Sequence, residues 1–360
     1  MFTLIAAVTF LLALATVLPA LPVAHGFVRT CDFPRLQIAA LAATFIPLTL
    51  LYVPLGPWGL ALVAVQTVVL VLQLAVCLRF TPFWKVQSIA YDGEPRGDNT
   101  IRILSSNVKM SNRDYGRLVG LVREMQPDVF VLMEIDEPWL EALAPLASVY
   151  PHRVEQPQDN AYGMVLYSRL PLSDTQLMFR LLEGVPSIST VVTLRDGAQI
   201  RLHAVHPEPP IPHMDTLGRD AEIVLVAREV VDDPLPCIVT GDLNDVAWSR
   251  TTQRFQRLTG LLDPRVGRGF FNSFDARFWF MRWPLDHLFH DPAFRVIEVK
   301  RLPHVGSDHF PMWFALALTP IEASEEAPER PDQADRQEAR EVVVEAQQLD
   351  REPIGTDWEK

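Results

Sequence analysis

The stretch PCIVTGDLND, residues 236–245, starts as an apolar strand and stops abruptly in polar residues. Positions 237–239 are predicted to be buried, whereas Asp242 and Asn244 follow at the carboxyl end. A single carboxylate at a strand end is most often a turn or helix cap, and for Asp242 taken alone a cap and a catalytic role are equally good interpretations. A chemical role for these residues therefore depends on the rest of the chain.

Five further segments place an acid, an amide or an imidazole at one end of an apolar strand. Burying such groups without partners costs several kcal/mol each. A bound cation together with a phosphate would pair them and remove that cost. The residues concerned are Asn107, Glu134, His206, Asp286, Asp308 and His309.

Residues 101–319 combine strand and helix patterns and are predicted to form one domain of about 220 residues. Asp196 and Gly197 separate two alternating apolar runs, which is a strong hairpin signal. The segment YGRLVGLVREM, which begins at Tyr115, has the apolar spacing of an amphipathic helix and is followed by a strand. Such hairpins and strand–helix units predict an α/β fold with two packed mixed sheets and helices outside.

The order of the strand-end residues resembles the endonuclease/exonuclease/phosphatase superfamily, over the range Ile101 to Leu318. The resemblance implies a four-layer α/β sandwich and a phosphoesterase that depends on Mg²⁺ or Mn²⁺. Together with the apolar N-terminal segments, it is similar to a membrane-anchored bacterial branch of that superfamily. The matching residues are GDLN at 241–244, GSDH at 306–309, LDH at 285–287, Asn107, Glu134 and His206.

The resemblance indicates Glu134 as the first metal ligand, with Asn107 and Asp308 beside it. Hard divalent cations prefer oxygen ligands and keep several of their waters, which suits carboxylates and an amide. A cation at these residues would polarise a phosphoryl oxygen and offset the charge that develops during in-line attack by water.

The remaining strand-end residues are expected to handle water, protons and phosphate. Asp242 would orient and deprotonate the attacking water, and Asn244 would hold that water or a phosphoryl oxygen. His309, oriented by Asp286, would stay protonated and contact the phosphate. His206 would be a second phosphate contact or the acid for the leaving group. A purely structural role for Asp286, fixing a turn, is the alternative.

Two aromatic residues, Tyr162 and Trp248, are weaker candidates for contact with the substrate. Both are expected near the rim of the site, where core packing is an equally good interpretation. The stretch HPEPPIPHMD, residues 206–215, is unusually rich in proline and predicts a stiff loop. Glu208 in this loop would repel a polyanion if it faced the cleft.

The first 78 residues are predicted to be a membrane anchor with three spans. Three apolar runs without charges each have roughly the 17–25 residues that cross a bilayer. A cleaved signal peptide explains one run at most and normally starts with basic residues, which are absent from the first nine positions. Buried helices of a soluble protein are the other alternative. The runs are Phe2–Ala24, Leu36–Val53 and Trp58–Leu78.

Basic residues flank the spans on the side that carries the main domain. An odd number of spans places the first connection and the domain on the same side, and the positive-inside rule assigns that side to the cytoplasm. We therefore expect a multi-pass protein of the bacterial inner (plasma) membrane with a cytoplasmic domain. The bases are Arg29, Arg35, Arg79 and Lys85.

Residues 79–100 are interpreted as a linker, and residues 320–360 as an acidic disordered tail without a chemical role. From Ile321 to Lys360 the chain has thirteen acids and five bases, which is −8 of the total net charge of −12. Such a composition, with few aromatic residues, is typical of disorder. A transient helix between Gln337 and Leu349 is compatible with it.

Three functions remain open. An endonuclease-like phosphodiesterase is the general expectation from the resemblance, although the overall charge gives no broad basic surface for polynucleotides. A phosphatase or phosphodiesterase on lipid headgroups or other small phosphate esters is the alternative, because the anchor holds the domain near a bilayer. A non-catalytic binding module is the remote third. No obligate protein partner is inferred, and the partners expected are the substrate and the lipid bilayer.

Overall fold

The computed structural model describes residues 1–319 and 327–356. Three of its N-terminal helical segments, Phe2–Ala20, Arg35–Tyr52 and Pro57–Leu78, are long and apolar enough to cross a membrane. They coincide with the predicted spans to within a few residues. The helices of this part are α1 (Phe2–Val17), which continues into a 3-10 helix at Leu18–Ala20, α2 (Gly26–Thr30), α3 (Arg35–Tyr52) and α4 (Pro57–Leu78).

Buried polar side chains join the three long helices. Gln66 of α4 donates to the hydroxyls of Thr9 (2.8 Å) and Thr49 (3.0 Å), so one amide connects α4 to α1 and α3. Gln73, about two turns further along α4, donates to Thr16 at 2.9 Å and accepts from Arg35 at 2.9 Å. Hydrogen bonds between helices are a common way to hold apolar helices together where lipid removes the hydrophobic driving force.

Two mixed sheets form the centre of the main domain. In the six-stranded sheet the order is β10-β11-β1-β2-β4-β3, and in the five-stranded sheet it follows the chain. The first sheet contains β1 (Thr100–Asn107), β2 (Val129–Met133), β3 (His152–Gln156), β4 (Met164–Ser168), β10 (Phe294–Arg301) and β11 (Met312–Leu318). The second contains β5 (Leu172–Met178), β6 (Ser187–Thr193), β7 (Gln199–Ala204), β8 (Cys237–Asp242) and β9 (Asp286–His290).

The predicted four-layer sandwich is confirmed. Apolar side chains from both sheets, such as Ile103 and Val131 on one side and Leu202 and Ile238 on the other, share one buried core. Further apolar clusters join the outer sheet faces to helices. The helices on the six-stranded sheet are α5 (Tyr115–Met125) and α6 (Glu137–Leu143), followed by a 3-10 helix at Ala144–Leu146, and those on the five-stranded sheet are α7 (Leu217–Asp232) and α8 (Arg250–Thr259).

The segment after the domain is folded where the structure describes it, so the prediction of disorder is wrong for residues 327–356. Helix α9 (Gln333–Ala346) buries Val342 and Val343 against Val224 of α7. Its acids find partners, since Glu338 pairs with Arg254 at 2.7 Å. An apolar stripe with charge partners on the domain outweighs a composition typical of disorder. Positions 320–326 and 357–360 of the predicted tail lie outside the described residues.

The segment interpreted as a linker also contacts the domain. Phe80 is buried in an aromatic cluster, and Gln87 accepts from the backbone N–H of Asp263 at 2.8 Å. Ser88 is hydrogen-bonded to His290 at 2.8 Å. The N-terminal helices and the domain are therefore joined by packed chain over much of this segment. The division into segments ending at residues 78, 100 and 319 stays a prediction.

Candidate active site

Strand direction explains why residues from distant segments meet. Strands β1 and β2 are parallel and pair Asn107 with Met133, so Asn107 and Glu134 leave the sheet at the same edge. Strands β8 and β9 are antiparallel and pair Asp242 with Asp286. The amide of Asn107 donates to Asp242 Oδ2 at 3.1 Å and thereby connects the two sheets.

Eight of the ten candidate residues line one cavity of about 370 Å³. They are Asn107, Glu134, Tyr162, His206, Asp242, Asn244, Asp308 and His309. The close packing of strands β7 and β8 below the cavity depends on Gly241, whose φ is 142°. A Cβ at this position would lie 1.9 Å from the carbonyl oxygen of Val205. The glycine of the GDLN motif is thus required by a backbone contact.

Asp286, His309 and Asp242 form a buried chain of hydrogen-bonding groups. Nδ1 of His309 lies 2.7 Å from Asp286 Oδ2, and its Nε2 lies 3.4 Å from Asp242 Oδ2. Burial alone would lower the pKa of His309, but the carboxylates of Asp286 and Asp242 raise it well above its ordinary value. An imidazole between two carboxylates is held protonated, with one ring nitrogen fixed by Asp286.

Glu134 follows β2 in a left-handed backbone conformation, with φ at 64°. Its Oε1 accepts from the amide of Asn107 at 2.7 Å, and its Oε2 accepts from the backbone N–H of Met110 at 3.1 Å. Burial raises the pKa of Glu134 to about 7, and the bond from Asn107 opposes that rise. A non-glycine residue in this conformation is strained, and such strain clusters at functional sites.

Asp308 occupies the same cavity together with two basic side chains. Its Oδ2 is 2.8 Å from Nζ of Lys109 and 3.8 Å from Nη2 of Arg277. Burial would raise the pKa of Asp308, but His309 and Lys109 lower it below the ordinary range. The cavity therefore holds carboxylates for a cation and basic groups for an anion within a few ångströms of each other.

The residues of the cavity fit an oxygen-bound divalent cation. Asp242 is a buried carboxylate, Glu134 and Asp308 are half-buried ones, and one oxygen of the neighbouring Asp286 is buried without a hydrogen-bond partner in the described structure. Ligating atoms of Asp242, Asp286 and His309 also lie within 4.8 Å of one another. His309 is already engaged by two carboxylates, so the oxygens around Glu134 suit a hard cation better. Asn107 would have to turn its amide oxygen towards the ion.

His206 and Asn244 complete the side of the cavity that belongs to the five-stranded sheet. Nε2 of His206 is 3.9 Å from Asp242 Oδ2, and its Nδ1 is buried with no hydrogen-bond partner among the described residues. Burial and the nearby charge of His309 lower the pKa of His206 to about 3, so its ring is neutral. Asn244, at φ 51°, donates its amide to the carbonyl of Pro207 at 2.9 Å.

Trp248 lies outside the wall of the cavity and packs in an apolar cluster, which is the alternative interpretation of this residue. It is 3% exposed and packs with Phe80 and Phe270, at ring distances of 5.7 and 6.0 Å. Its indole N–H donates to the carbonyl of Asp32 at 2.8 Å. An amphipathic ring with a buried partner for its N–H is a packing element, and here it joins the first connection of the anchor to the domain.

Tyr162 lines the cavity, but its hydroxyl is committed to another part of the chain. The hydroxyl donates to the carbonyl of Ile354, and the ring lies 5.5 Å from that of His206. Ile354 and Gly355, which belong to the segment expected to have no chemical role, line the cavity too. Glu208 turns away from the cleft to bind Arg351 at 2.6 Å, which removes the expected repulsion of a polyanion.

Sequence reasoning missed several residues of the cavity wall. Phe33 comes from the connection between the first two spans, and Phe274 and Arg277 come from the long connection between α8 and β9. Lys109 had a local signal, because it follows Asn107 by two residues at the end of β1. Phe33 and Ile354 had none, since each reaches the cavity only through the packing of remote segments.

A profile of the Endonuclease/Exonuclease/phosphatase family matches residues 104–309, which is more than half of the chain. The chain belongs to this family, and the protein is a hydrolase acting on phosphate esters. A divalent metal is typical of the family and is compatible with the acidic cluster of the cavity. A search of curated protein sequences finds no match.

Solved structures similar to this chain include proteins from a bacterium, a fish and humans. An endonuclease/exonuclease/phosphatase from Beutenbergia cavernae DSM 12333 is 18% identical, with coverage of 63% of this chain and 74% of that one and a TM-score of 0.49. D. rerio TDP2 complexed with single strand DNA product is 17% identical, with coverage of 60% and 98% and a TM-score of 0.50. The human Nocturnin catalytic domain with bound sulfate anion is 16% identical, with coverage of 64% and 97% and a TM-score of 0.50.

Proposed function

We propose that this protein is a membrane-tethered, divalent-metal-dependent enzyme that hydrolyses phosphate esters by in-line attack of water. The supporting observation is the buried chain Asp286–His309–Asp242, whose last member also receives the amide of Asn107. The amide of Asn107 also donates to Glu134, the leading candidate for a metal ligand, and so connects it to the proton-handling residues. A general base and a cation site must adjoin in this way if both act on one phosphate.

Asp242 accepts the proton of the attacking water. Burial raises the pKa of this carboxylate, which makes it a better base than an exposed aspartate, and His309 opposes that rise. His309, held protonated by Asp286, donates from Nε2 to a phosphoryl oxygen, and Asn244 helps to orient the water. The neutral ring of His206 suits a hydrogen bond to the phosphate better than proton donation to the leaving group.

Glu134 is the residue we expect to hold the cation, with Asp308 and the amide oxygen of Asn107 beside it. When bound, a divalent cation polarises a phosphoryl oxygen and offsets its developing charge. Mg²⁺ and Mn²⁺ both suit such oxygen ligands.

The tether consists of the three apolar helices α1, α3 and α4. The basic residues that flank the helices lie on the same side as the first connection and the domain, which favours a cytoplasmic domain at the bacterial inner membrane.

Two substrate classes are then candidates. Nucleic acid is supported by the fold shared with D. rerio TDP2, whose structure contains a single strand DNA product. A headgroup ester at the bilayer is supported by Phe33, a residue of the anchor's first connection that lines the cavity.

The function is tested with the full chain in detergent or vesicles, against phosphomonoesters, bis(p-nitrophenyl) phosphate and plasmid DNA. Hydrolysis should require Mg²⁺ or Mn²⁺ and stop with EDTA. Because a general base contributes roughly 10²- to 10⁴-fold, Asp242→Asn should lower kcat by that factor while the fold remains intact. Glu134→Gln should weaken Mn²⁺ binding measured by calorimetry without substrate.

The matched control is Asp232→Asn, the same change at an exposed position of α7. It should leave rate and metal affinity unchanged. A wild-type rate for Asp242→Asn would remove Asp242 as the base, and metal-independent hydrolysis would refute the proposed mechanism.

A further inference from the structure

The connection between α8 and β9 carries four consecutive large apolar residues on the protein surface. We call residues 278–281, Phe-Trp-Phe-Met, the aromatic loop. Trp279 is 83% exposed, and Phe278, Phe280 and Met281 are each at least 40% exposed. Exposed apolar patches that are contiguous mark surfaces that contact another apolar phase.

The aromatic loop lies at the end of a predicted span. Gln37, in the first turn of α3, donates its side-chain amide to the carbonyl of Phe280 at 2.7 Å. Other exposed aromatic rings occur at the same ends of the helices: Phe27 lies in α2, between the first two spans, and Phe83 follows α4 and is 91% exposed. Aromatic residues are enriched at both membrane–water interfaces, where the ends of spans lie.

The same loop adjoins the cavity. Arg277, directly before the loop, lines the cavity, and so does Phe33, two residues before α3. A series of ring contacts leads inward, from Phe33 to Trp283 at 5.7 Å, from Trp283 to Phe274 at 6.2 Å, and from Phe274 to His309 at 4.8 Å. The apolar surface at the span ends is therefore continuous with one wall of the catalytic cavity.

We propose that the aromatic loop, Phe27 and Phe83 enter the interfacial region of the bilayer that holds the spans, and that the substrate is the phosphate ester of a membrane amphiphile. This inference rests on the proposed function and specifies its substrate class. The bilayer is the occupant because the apolar surface is joined to the spans by Gln37 and by the chain itself. The apolar part of the substrate stays in the bilayer while its phosphate reaches the cavity.

The chemistry at such a substrate is ordinary ester hydrolysis. Water adds its oxygen to phosphorus, its proton passes to Asp242, and the phosphorus–oxygen bond of the ester breaks. The oxygen that leaves takes up a proton and becomes an alcohol. Lys109 and Arg277, both within 4 Å of Asp308, place positive charge where the phosphate would enter.

The test uses the full chain reconstituted in vesicles that contain phosphatidylglycerol, phosphatidylethanolamine and phosphatidic acid. Release of water-soluble phosphate or headgroup is compared with hydrolysis of bis(p-nitrophenyl) phosphate by the same sample. The variant Trp279→Ser/Phe280→Ser/Met281→Ser should lose roughly tenfold in rate on the vesicle lipid, because the cavity is no longer held against the surface. Its rate on the soluble ester should stay at the wild-type value.

Phe179→Ser is the matched control, since Phe179 is 44% exposed and belongs to the connection after the edge strand β5. It should leave both rates unchanged. Insertion is measured independently of catalysis by quenching of tryptophan fluorescence with brominated lipid, which should be smaller for Trp279→Phe than for the wild type.

The outcomes separate the two proposals. Hydrolysis of neither the soluble ester nor lipid refutes the proposed function, while the quenching result still decides insertion. Two outcomes overturn the proposal of a membrane substrate. In the first, the protein hydrolyses the soluble ester but no lipid. In the second, it hydrolyses lipid at the same rate in the wild type and in the loop variant. Plasmid cleavage that far exceeds lipid hydrolysis, unaffected by the loop variant, overturns the same proposal in favour of nucleic acid.

Discussion

Two regions from opposite ends of the chain contribute to the wall of the cavity, and they are held in different ways. The N-terminal connection, residues 25–34, lies between the first two spans and contributes Phe33. The C-terminal segment, residues 349–355, follows α9 and contributes Ile354 and Gly355. The protein therefore uses sequence from both ends to enclose a site whose polar residues come from the middle.

Buried contacts to several elements hold the N-terminal connection. Arg29 pairs with Asp220 of α7 at 3.2 Å, and both side chains are almost fully buried. Trp248 donates to the carbonyl of Asp32, and Phe33 packs edge-on against Trp283. Loss of one of these contacts leaves the others in place.

Two carboxylates, Glu208 and Asp215, hold the C-terminal segment, and Asp215 pairs with Arg351 at 3.2 Å. Glu208 accepts from both terminal nitrogens of Arg351, at 2.6 and 3.0 Å, and from the backbone N–H of Ile354 at 2.7 Å. The hydroxyl of Tyr162 adds one further bond, to the carbonyl of Ile354. One part of the wall therefore depends on distributed packing and the other mainly on the carboxylate of Glu208, so single substitutions should affect the two parts unequally.

The largest effect is expected at Asp220, which also accepts from Arg219 at 2.7 Å. Asp220→Asn leaves the positive charges of Arg29 and Arg219 buried without the carboxylate that balances them. Removing one partner of a buried ion pair costs about 3–5 kcal/mol. The measurement is thermal unfolding of the full chain in detergent, and Asp232→Asn on the same helix is the control. If the loss of stability in Asp220→Asn is no larger than in Asp232→Asn, the N-terminal connection does not depend on this pair.

Low pH should reduce the difference in stability between the wild type and Asp220→Asn. Burial alone would raise the pKa of Asp220, but Arg219, Arg29 and Arg254 lower it from 3.8 to about 2. A carboxylate whose pKa is lowered by folding stabilises the folded state above its ordinary pKa, and that contribution is lost as pH falls from 3.8 towards 2. The gap in Tm between wild type and Asp220→Asn should therefore narrow over this range.

A smaller effect is expected at the C-terminal segment. Arg351→Ala leaves Glu208 buried with one backbone donor, and a buried charge that loses its partner costs about 1–3 kcal/mol or somewhat more. Hydrogen exchange of residues 349–355 should increase, and KM for the soluble ester should change because Ile354 forms part of the wall.

Arg340→Ala, at an exposed position of α9, is the control for charge. Glu208→Gln in the Arg351→Ala background removes the unpaired charge and should recover part of the lost stability. Unchanged exchange in Arg351→Ala would show that packing of α9, and not Glu208, positions the segment.

The smallest effect on stability is expected at Phe33. Phe33→Ala removes one aromatic contact worth about 0.5–1.5 kcal/mol beyond the area that the half-buried ring also loses, and it leaves the Arg29 and Trp248 contacts intact. KM for the soluble ester should rise a few-fold while kcat is retained. Phe33 forms part of the cavity wall and makes no hydrogen bond to Asp242 or Glu134. Phe27→Ala, in the same connection but outside the cavity wall, should leave KM unchanged. A fall in kcat with constant KM would contradict a wall role.

Local patterns were sufficient for the fold and for most of the polar site. Alternation around Asp196-Gly197 predicts the hairpin that the structure forms with β6 and β7. The strand-end acids could be found because each follows an apolar run within the same short segment. For Trp248 the sequence leaves cleft and core equally open, because an indole has the same local signature in both. Composition predicts disorder for residues 327–356 because it ignores the apolar stripe that α9 buries on α7.

By itself the sequence determined three long apolar helices, an α/β sandwich and an ordered set of carboxylates, amide and imidazoles at strand ends. These properties depend on hydropathy, periodicity and short motifs, all of which are local. Only the tertiary structure decided that Asn107 bridges Glu134 and Asp242, that Phe33 and Ile354 share one wall, and that an exposed aromatic loop lies beside the spans. Such contacts join residues far apart in the chain. Strand registers bring Asn107, Glu134 and Asp242 to one edge, whereas Phe33, Ile354 and the aromatic loop are placed by the packing of segments outside the sheets.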